Sequence, residues 1–174
     1  MLFRSWRLAL GAAVWAALMF AHPFLFGVAA YYQLETLQRS AHPALAGIAA
    51  KAVKETRYHV RHAGEWVVRL GDGTEESHQR AQAALDELWR YTGELFMADA
   101  TDATLAAAGI APDVAATQAA WRAQVTEVLG RATLTIPADG WMQRGGRQGR
   151  HTEHLSRMLA EMQVLPRSHP GAQW

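Results

Sequence analysis

A chain of 174 residues, half of them apolar and none of them cysteine, is long enough for one compact domain with a buried core, and it excludes disulfides, thiolate-held zinc and thiol catalysis. Its formal net charge of +1 hides a polarity: residues 1–70 sum to +5, residues 71–140 to −7 and residues 141–174 to +3. That pattern argues against a broad basic face for nucleic acid and suits docking of a partner or an anion, while abundant Ala and the near absence of alternating apolar and polar segments point to an all-α fold.

Residues 1–32 begin with Arg4 and Arg7 and then carry no charge from Leu8 through Tyr32, a run broken only by His22 and Pro23. A basic start and an apolar run resemble a signal or anchor, and the run is long enough to span a bilayer. The competing reading is a buried bundle helix over residues 24–37, with Leu25, Val28, Tyr32 and Glu35 facing neighbours. Residues 1–21 are left apart as an unassigned apolar segment, and residues 22–174 form the helical domain. The connector around residues 39–43 is short, which makes the helices on either side antiparallel neighbours.

Pro43 is placed like a first-turn proline, and apolar residues from Leu45 to Leu70 recur at three and four, so a central helix is expected to end at the turn of residues 71–73. Glu55, His59 and His62 lie at the edge of its apolar face. Lys51 and Lys54 are the only lysines, and with Arg57 and Arg61 they form a basic stripe. The stripe could grip phosphates or an acidic partner face, or be a solvated surface paired with Glu55 and Glu65.

Thr74 is expected to cap a helix reaching about Phe96, with Glu75 and Glu76 suiting its dipole. Residues 99–112 read as loop with a turn of helix at most, and residues 113–130 as a third long helix. Residues 133–136 have strand composition but stand isolated. Residues 140–149 read as a flexible basic loop, and Thr152 as the cap of a last helix that carries Leu155, Met158, Leu159 and Met162 and stops at Pro166.

A bundle that binds two metal ions needs a Glu from each of two helices and a Glu-x-x-His from each of the other two. Glu55, Glu65 and Glu153 are followed three residues on by Tyr58, Val68 and Ser156. The one match, Glu75 with His78, falls at an exposed helix tip. A mononuclear site of Glu55, His59 and His62 stays open as an alternative, as does a membrane anchor through Leu8–Tyr32. No phosphate loop of the P-loop or dinucleotide type is present.

Five stretches carry a resemblance: residues 48–61 (IAAKAVKETRYHVR), 69–75 (RLGDGTE), 88–96 (LWRYTGELF), 151–163 (HTEHLSRMLAEMQ) and 170–174 (PGAQW). From about Pro23 to Trp174 the chain resembles the C-subunit family of the ring-epoxidising phenylacetyl-CoA oxygenases. The resemblance implies a ferritin-like subunit of a cytoplasmic bacterial complex in aerobic phenylacetate catabolism. It implies a catalytic A subunit that carries the di-iron centre and epoxidises the ring of phenylacetyl-CoA, with this chain as its structural, non-catalytic partner without a cofactor of its own. A small B subunit and a reductase with flavin and an iron-sulfur cluster, fed by NADPH, complete the implied system. No nucleic acid and no membrane is implied. The family's leading helices are not recognisable in residues 1–21, so the expectation is an N-terminally truncated ferritin-like bundle, from a shortened or misassembled reading frame, with apolar surface exposed where those helices belong. Lys51, Lys54, Arg57 and Arg61 are the residues expected to attract CoA phosphates or an acidic partner face.

Overall fold

The computed structural model describes the backbone of residues 2–173 and the side chains of residues 19–173. Every regular element among them is helical. The chain divides into two compact units, residues 1–143 and residues 144–174.

In the first unit, α1 (Leu2–Leu37) and α2 (Pro43–Gly71) form an antiparallel hairpin. The direction follows from the contacts: Phe20 stacks on Trp66 at 5.0 Å, Phe24 abuts Gly64, Gly27 faces Val60, and Arg57 bonds to Tyr31. The helix expected to start at Phe24 instead begins at Leu2 and runs through Pro23. Pro23 is exposed, so its ring displaces no core side chain, and water can reach the carbonyl of Met19, which loses its N–H partner. Among the described residues no helix is long and apolar enough to cross a membrane, and the N-terminal part of the Leu8–Tyr32 run lies outside the described side chains.

The next helix, α3 (Glu75–Trp89), starts where Thr74 was expected to cap it, its side chain accepting from the Ser77 N–H. It stops well short of Phe96. Thr92 donates its hydroxyl to the Trp89 carbonyl and tightens the chain into a 3-10 turn over Gly93–Phe96. The segment expected to be loop holds α4 (Ala100–Ala107), nucleated by a reciprocal box in which Asp99 accepts from the Asp102 N–H and Asp102 from the Asp99 N–H, both at 2.9 Å. The third long helix begins later than expected: a 3-10 turn over Ala115–Thr117 leads into α5 (Gln118–Arg131).

The core lies between α1, α2, α3 and α5, with Phe24, Leu25, Val28, Leu85, Trp121, Val125 and Leu129 almost fully buried. Trp121 is its centre. Its indole N–H donates to the Leu25 carbonyl at 2.8 Å, and its ring meets Trp89 at 5.7 Å and Phe96 at 5.2 Å. Gly71 lets α2 end directly against Ala132, where a Cβ would sit 2.8 Å from the Ala132 Cβ and run into its carbonyl oxygen.

Residues 133–136 form no strand. The side-chain amide of Gln82 pairs with the N–H and carbonyl of Thr135, both at 2.9 Å, and so satisfies the backbone that a neighbouring strand would have served. Further on, Asp139 accepts from the Trp89 indole at 3.0 Å and from Arg122 at 3.2 Å, which fastens this segment across the bundle.

In the second unit, residues 145–150 close a small turn between two glycines in the left-handed region, Gly145 and Gly149. Thr152 occupies the N-cap position of α6 (Glu153–Met162) but makes no side-chain capping bond. The helix breaks at Gln163 rather than at Pro166, which lies inside the short α7 (Val164–Ser168), at an early position where its missing N–H costs no helical bond. Met158, Leu159, Met162, Val164 and Leu165 are exposed.

Candidate functional site

The basic stripe of α2 is divided by helical rotation. The side buried against α1 and α5 includes Ala49, Val53, Val60, Gly64 and Val67. Offsets from these place Arg57 and Arg61 on one flank of the buried side, Lys54 beyond them, and Lys51 on the far side. All four are exposed. Arg57 and Arg61 line an open groove of about 620 Å³ between α1, α2 and α5, whereas the two lysines do not.

The groove's floor is Phe24, Val60, Gly64 and Val128, and its polar lining adds Tyr31, Tyr32, Glu65, Gln124, Glu127 and Arg131. Arg57 donates to the Tyr31 hydroxyl at 3.2 Å and lies over that ring at 5.6 Å, and Tyr31 donates onward to Glu35 at 3.0 Å. This relay steers the guanidinium without placing a carboxylate directly on it. Arg61 lies over the ring of Tyr58 at 5.8 Å. On the opposite wall Arg131 meets Glu127 at 3.5 Å with both side chains more than half exposed, a contact worth little in water. Burial, and then the neighbouring Tyr31 and Glu35, push the Tyr32 phenol above its usual value, so it stays a neutral hydroxyl at physiological pH.

Glu55, His59 and His62 do not converge. His59 stands 3.8 Å from Glu55 with both largely exposed, and His62 stacks on Tyr58 and meets the edge of Phe20. Among the described residues no group of three or more His, Asp or Glu side chains is placed to hold a metal ion, so the donor set of a carboxylate-bridged di-iron centre is not assembled by them. His78, the histidine of the single Glu-x-x-His match, instead bonds through Nδ1 to the Gly71 carbonyl at 2.7 Å and closes the α2–α3 turn.

The sequence did not single out the α5 wall. Gln124, Glu127, Val128 and Arg131 follow helical offsets of three and four, so a polar stripe on α5 was legible there. That it faces Arg57 and Arg61 depends on how α2 and α5 pack.

These helices and their packing define an all-α protein of the ferritin-like class. Residues 9–174 match the family described as phenylacetic acid catabolic protein, and the chain belongs to that family. It is 50% identical over 138 residues to the C subunit of the 1,2-phenylacetyl-CoA epoxidase of Escherichia coli (strain K12), an alignment covering 79% of this chain and 56% of that protein. The chain thus spans little more than half the length of the curated relative it matches.

Proposed function

We propose that this chain is a non-catalytic structural subunit of a cytoplasmic, multicomponent ring 1,2-phenylacetyl-CoA epoxidase. It pairs with a di-iron catalytic A subunit in aerobic phenylacetate catabolism. The observation that carries this reading is the 50% identity to an epoxidase C subunit over 79% of the chain. In this reading the oxygen chemistry belongs to a partner, and this chain buries and holds a face of it. A B subunit and a reductase with flavin, iron-sulfur cluster and NADPH complete the proposed system, and this chain carries no cofactor.

The basic stripe of Lys51, Lys54, Arg57 and Arg61 adds an electrostatic role in this reading, attracting CoA phosphates or an acidic partner face. Charge reversal of Lys51 and Lys54 tests the lysines' share. If complex assembly and apparent affinity for phenylacetyl-CoA both stay unchanged, the lysines have no part in it.

Co-expression with the cognate catalytic subunit tests the main reading, by recovery of a stable complex and of turnover. Stoichiometric iron in the purified chain alone would favour an autonomous metalloprotein, and recovery of folded chain only in detergent would favour a membrane anchor.

A further inference from the structure

The groove between α1, α2 and α5 is walled by interior turns of α1 and α2 and by the C-terminal half of α5. Positions 57, 61 and 65 of α2 and positions 124, 127 and 131 of α5 lie on stripes of roughly 12 Å and roughly 10 Å at about 1.5 Å per residue. The backbone N–H groups along these walls are spent in the helical ladders, so an incoming group meets side chains only. Phosphate cradles of the usual kind, a helix N-terminus or a nest of free amides, are not part of such walls. Glu65 and Glu127 stand in the same walls and oppose a compact polyanion. A straight trough with an apolar floor and charges at helical spacing matches the edge of another helix.

The charges select its chemistry. Arg57 is oriented by a tyrosine hydroxyl, Arg61 rests on a tyrosine ring, and Arg131 is only loosely held by Glu127. These three guanidinium groups suit carboxylates arriving from outside. On a second copy of this chain the acids of α3, its acidic helix, each have a partner within that helix or at its C-cap, Glu75 with Gln79, Glu76 with Arg80, Asp86 with Gln82 and Glu87 with Arg90. Such exposed contacts are worth little, so a self-dimer is one of the outcomes that the test reads.

We propose that this groove seats an α-helix of the partner subunit. That helix carries Asp or Glu along the edge facing Arg57, Arg61 and Arg131, and small apolar side chains over Val60, Gly64 and Val128. The proposal rests on the reading of this chain as one subunit of a complex. It narrows the basic stripe to its two arginines and adds Arg131 from α5.

The test is binding of the full chain to its purified cognate oxygen-activating subunit, by titration calorimetry at about 50 mM and about 300 mM salt. The expected result is affinity that falls with salt and weakens about tenfold or more in R57E/R61E/R131E, with unchanged far-ultraviolet circular dichroism and unchanged affinity in the surface control R39E. If the triple reversal unfolds, R57Q/R61Q/R131Q is read instead, with a loss of about threefold expected. A complex whose affinity either folded triple variant leaves within experimental error overturns the groove proposal alone. So does stoichiometric binding of 3′-phospho-ADP that the variant abolishes, which makes the groove an anion site. A self-dimer abolished by the variant overturns it as well. If the wild-type chain does not bind the subunit at all, the reading of the chain as a subunit falls, and the groove proposal with it.

Discussion

Alanine at Gly71 and at Gly47 should move stability in opposite directions although both glycines belong to α2. In an ordinary helical site, Gly→Ala stabilises by about 0.5–1 kcal/mol, because the unfolded chain loses freedom it no longer has to surrender. Gly47 is such a site: nothing lies within 4 Å of its would-be Cβ. At Gly71 the added methyl meets the Ala132 Cβ at 2.8 Å and the Ala132 carbonyl, a backbone group that cannot rotate away. Overpacking of this kind costs about 1–3 kcal/mol. Subtracting the propensity gain leaves Gly71→Ala destabilising by up to about 2.5 kcal/mol, with Gly47→Ala stabilising by about 0.5–1 kcal/mol. Urea unfolding followed by circular dichroism measures both, since unchanged m-values would show that the midpoints report stability. A Gly71→Ala variant as stable as Gly47→Ala would refute the close approach of α2 to the segment after α5.

Other expectations follow from single contacts. Trp121→Phe removes the buried N–H bond to the Leu25 carbonyl and part of the ring, and should cost about 2–3 kcal/mol in the same unfolding assay. The Trp89 indole bond, outweighing partial burial, and then Arg122 hold the Asp139 carboxyl below its usual range. Its contribution is therefore present above the unfolded value of about 3.9 and is lost as pH falls through the lower folded value. With the Asp139 side chain 57% exposed, Asp139→Asn should cost no more than about 1 kcal/mol at pH 7, and the difference from wild type should vanish in acid unfolding series below that window. Asp99→Ala removes one half of the α4 capping box and should weaken the helix by about 1 kcal/mol, read as faster amide exchange within Ala100–Ala107.

The sequence carried the hairpin of α1 and α2 well, because both the periodicity of α2 and the proline at its start are local signals. The cap at Thr74 was legible for the same reason. Local signals were also present but overlooked in α4, where Asp99 and Asp102 stand three apart with acids in place of the commoner Ser/Thr and Glu. The end of α3 at Trp89 was obscured because Leu95 and Phe96 continue an apolar helical spacing through a segment that the Thr92 side chain turns aside. For residues 133–136, strand composition did not yield a strand: Thr133 takes a left-handed φ of 56° at a turn, and the backbone of Thr135 pairs with no neighbouring strand. What satisfies it is the amide of Gln82, 53 residues earlier, which no local pattern can reveal.

The candidate site divided along the same line. Arg57 and Arg61 were singled out with Lys51 and Lys54 because they share a helix and a charge. Helical rotation already sets Lys51 apart from Arg57 and Arg61, and the packing of α2 against α1 and α5 forms the groove beside the two arginines and brings Arg131 and Tyr31 to them. The family resemblance rested on ordered motifs distributed through the chain; the family match bears it out and, over residues 9–174, begins ahead of the start expected near Pro23.

The most direct test of the central claim is reconstitution. The chain is co-expressed with the cognate di-iron catalytic subunit and reductase, and NADPH-dependent epoxidation of phenylacetyl-CoA is measured with and without it. The account predicts a stable complex in which iron follows the catalytic subunit alone and turnover requires this chain. Stoichiometric iron retained by this chain in isolation, or full turnover in its absence, would contradict it.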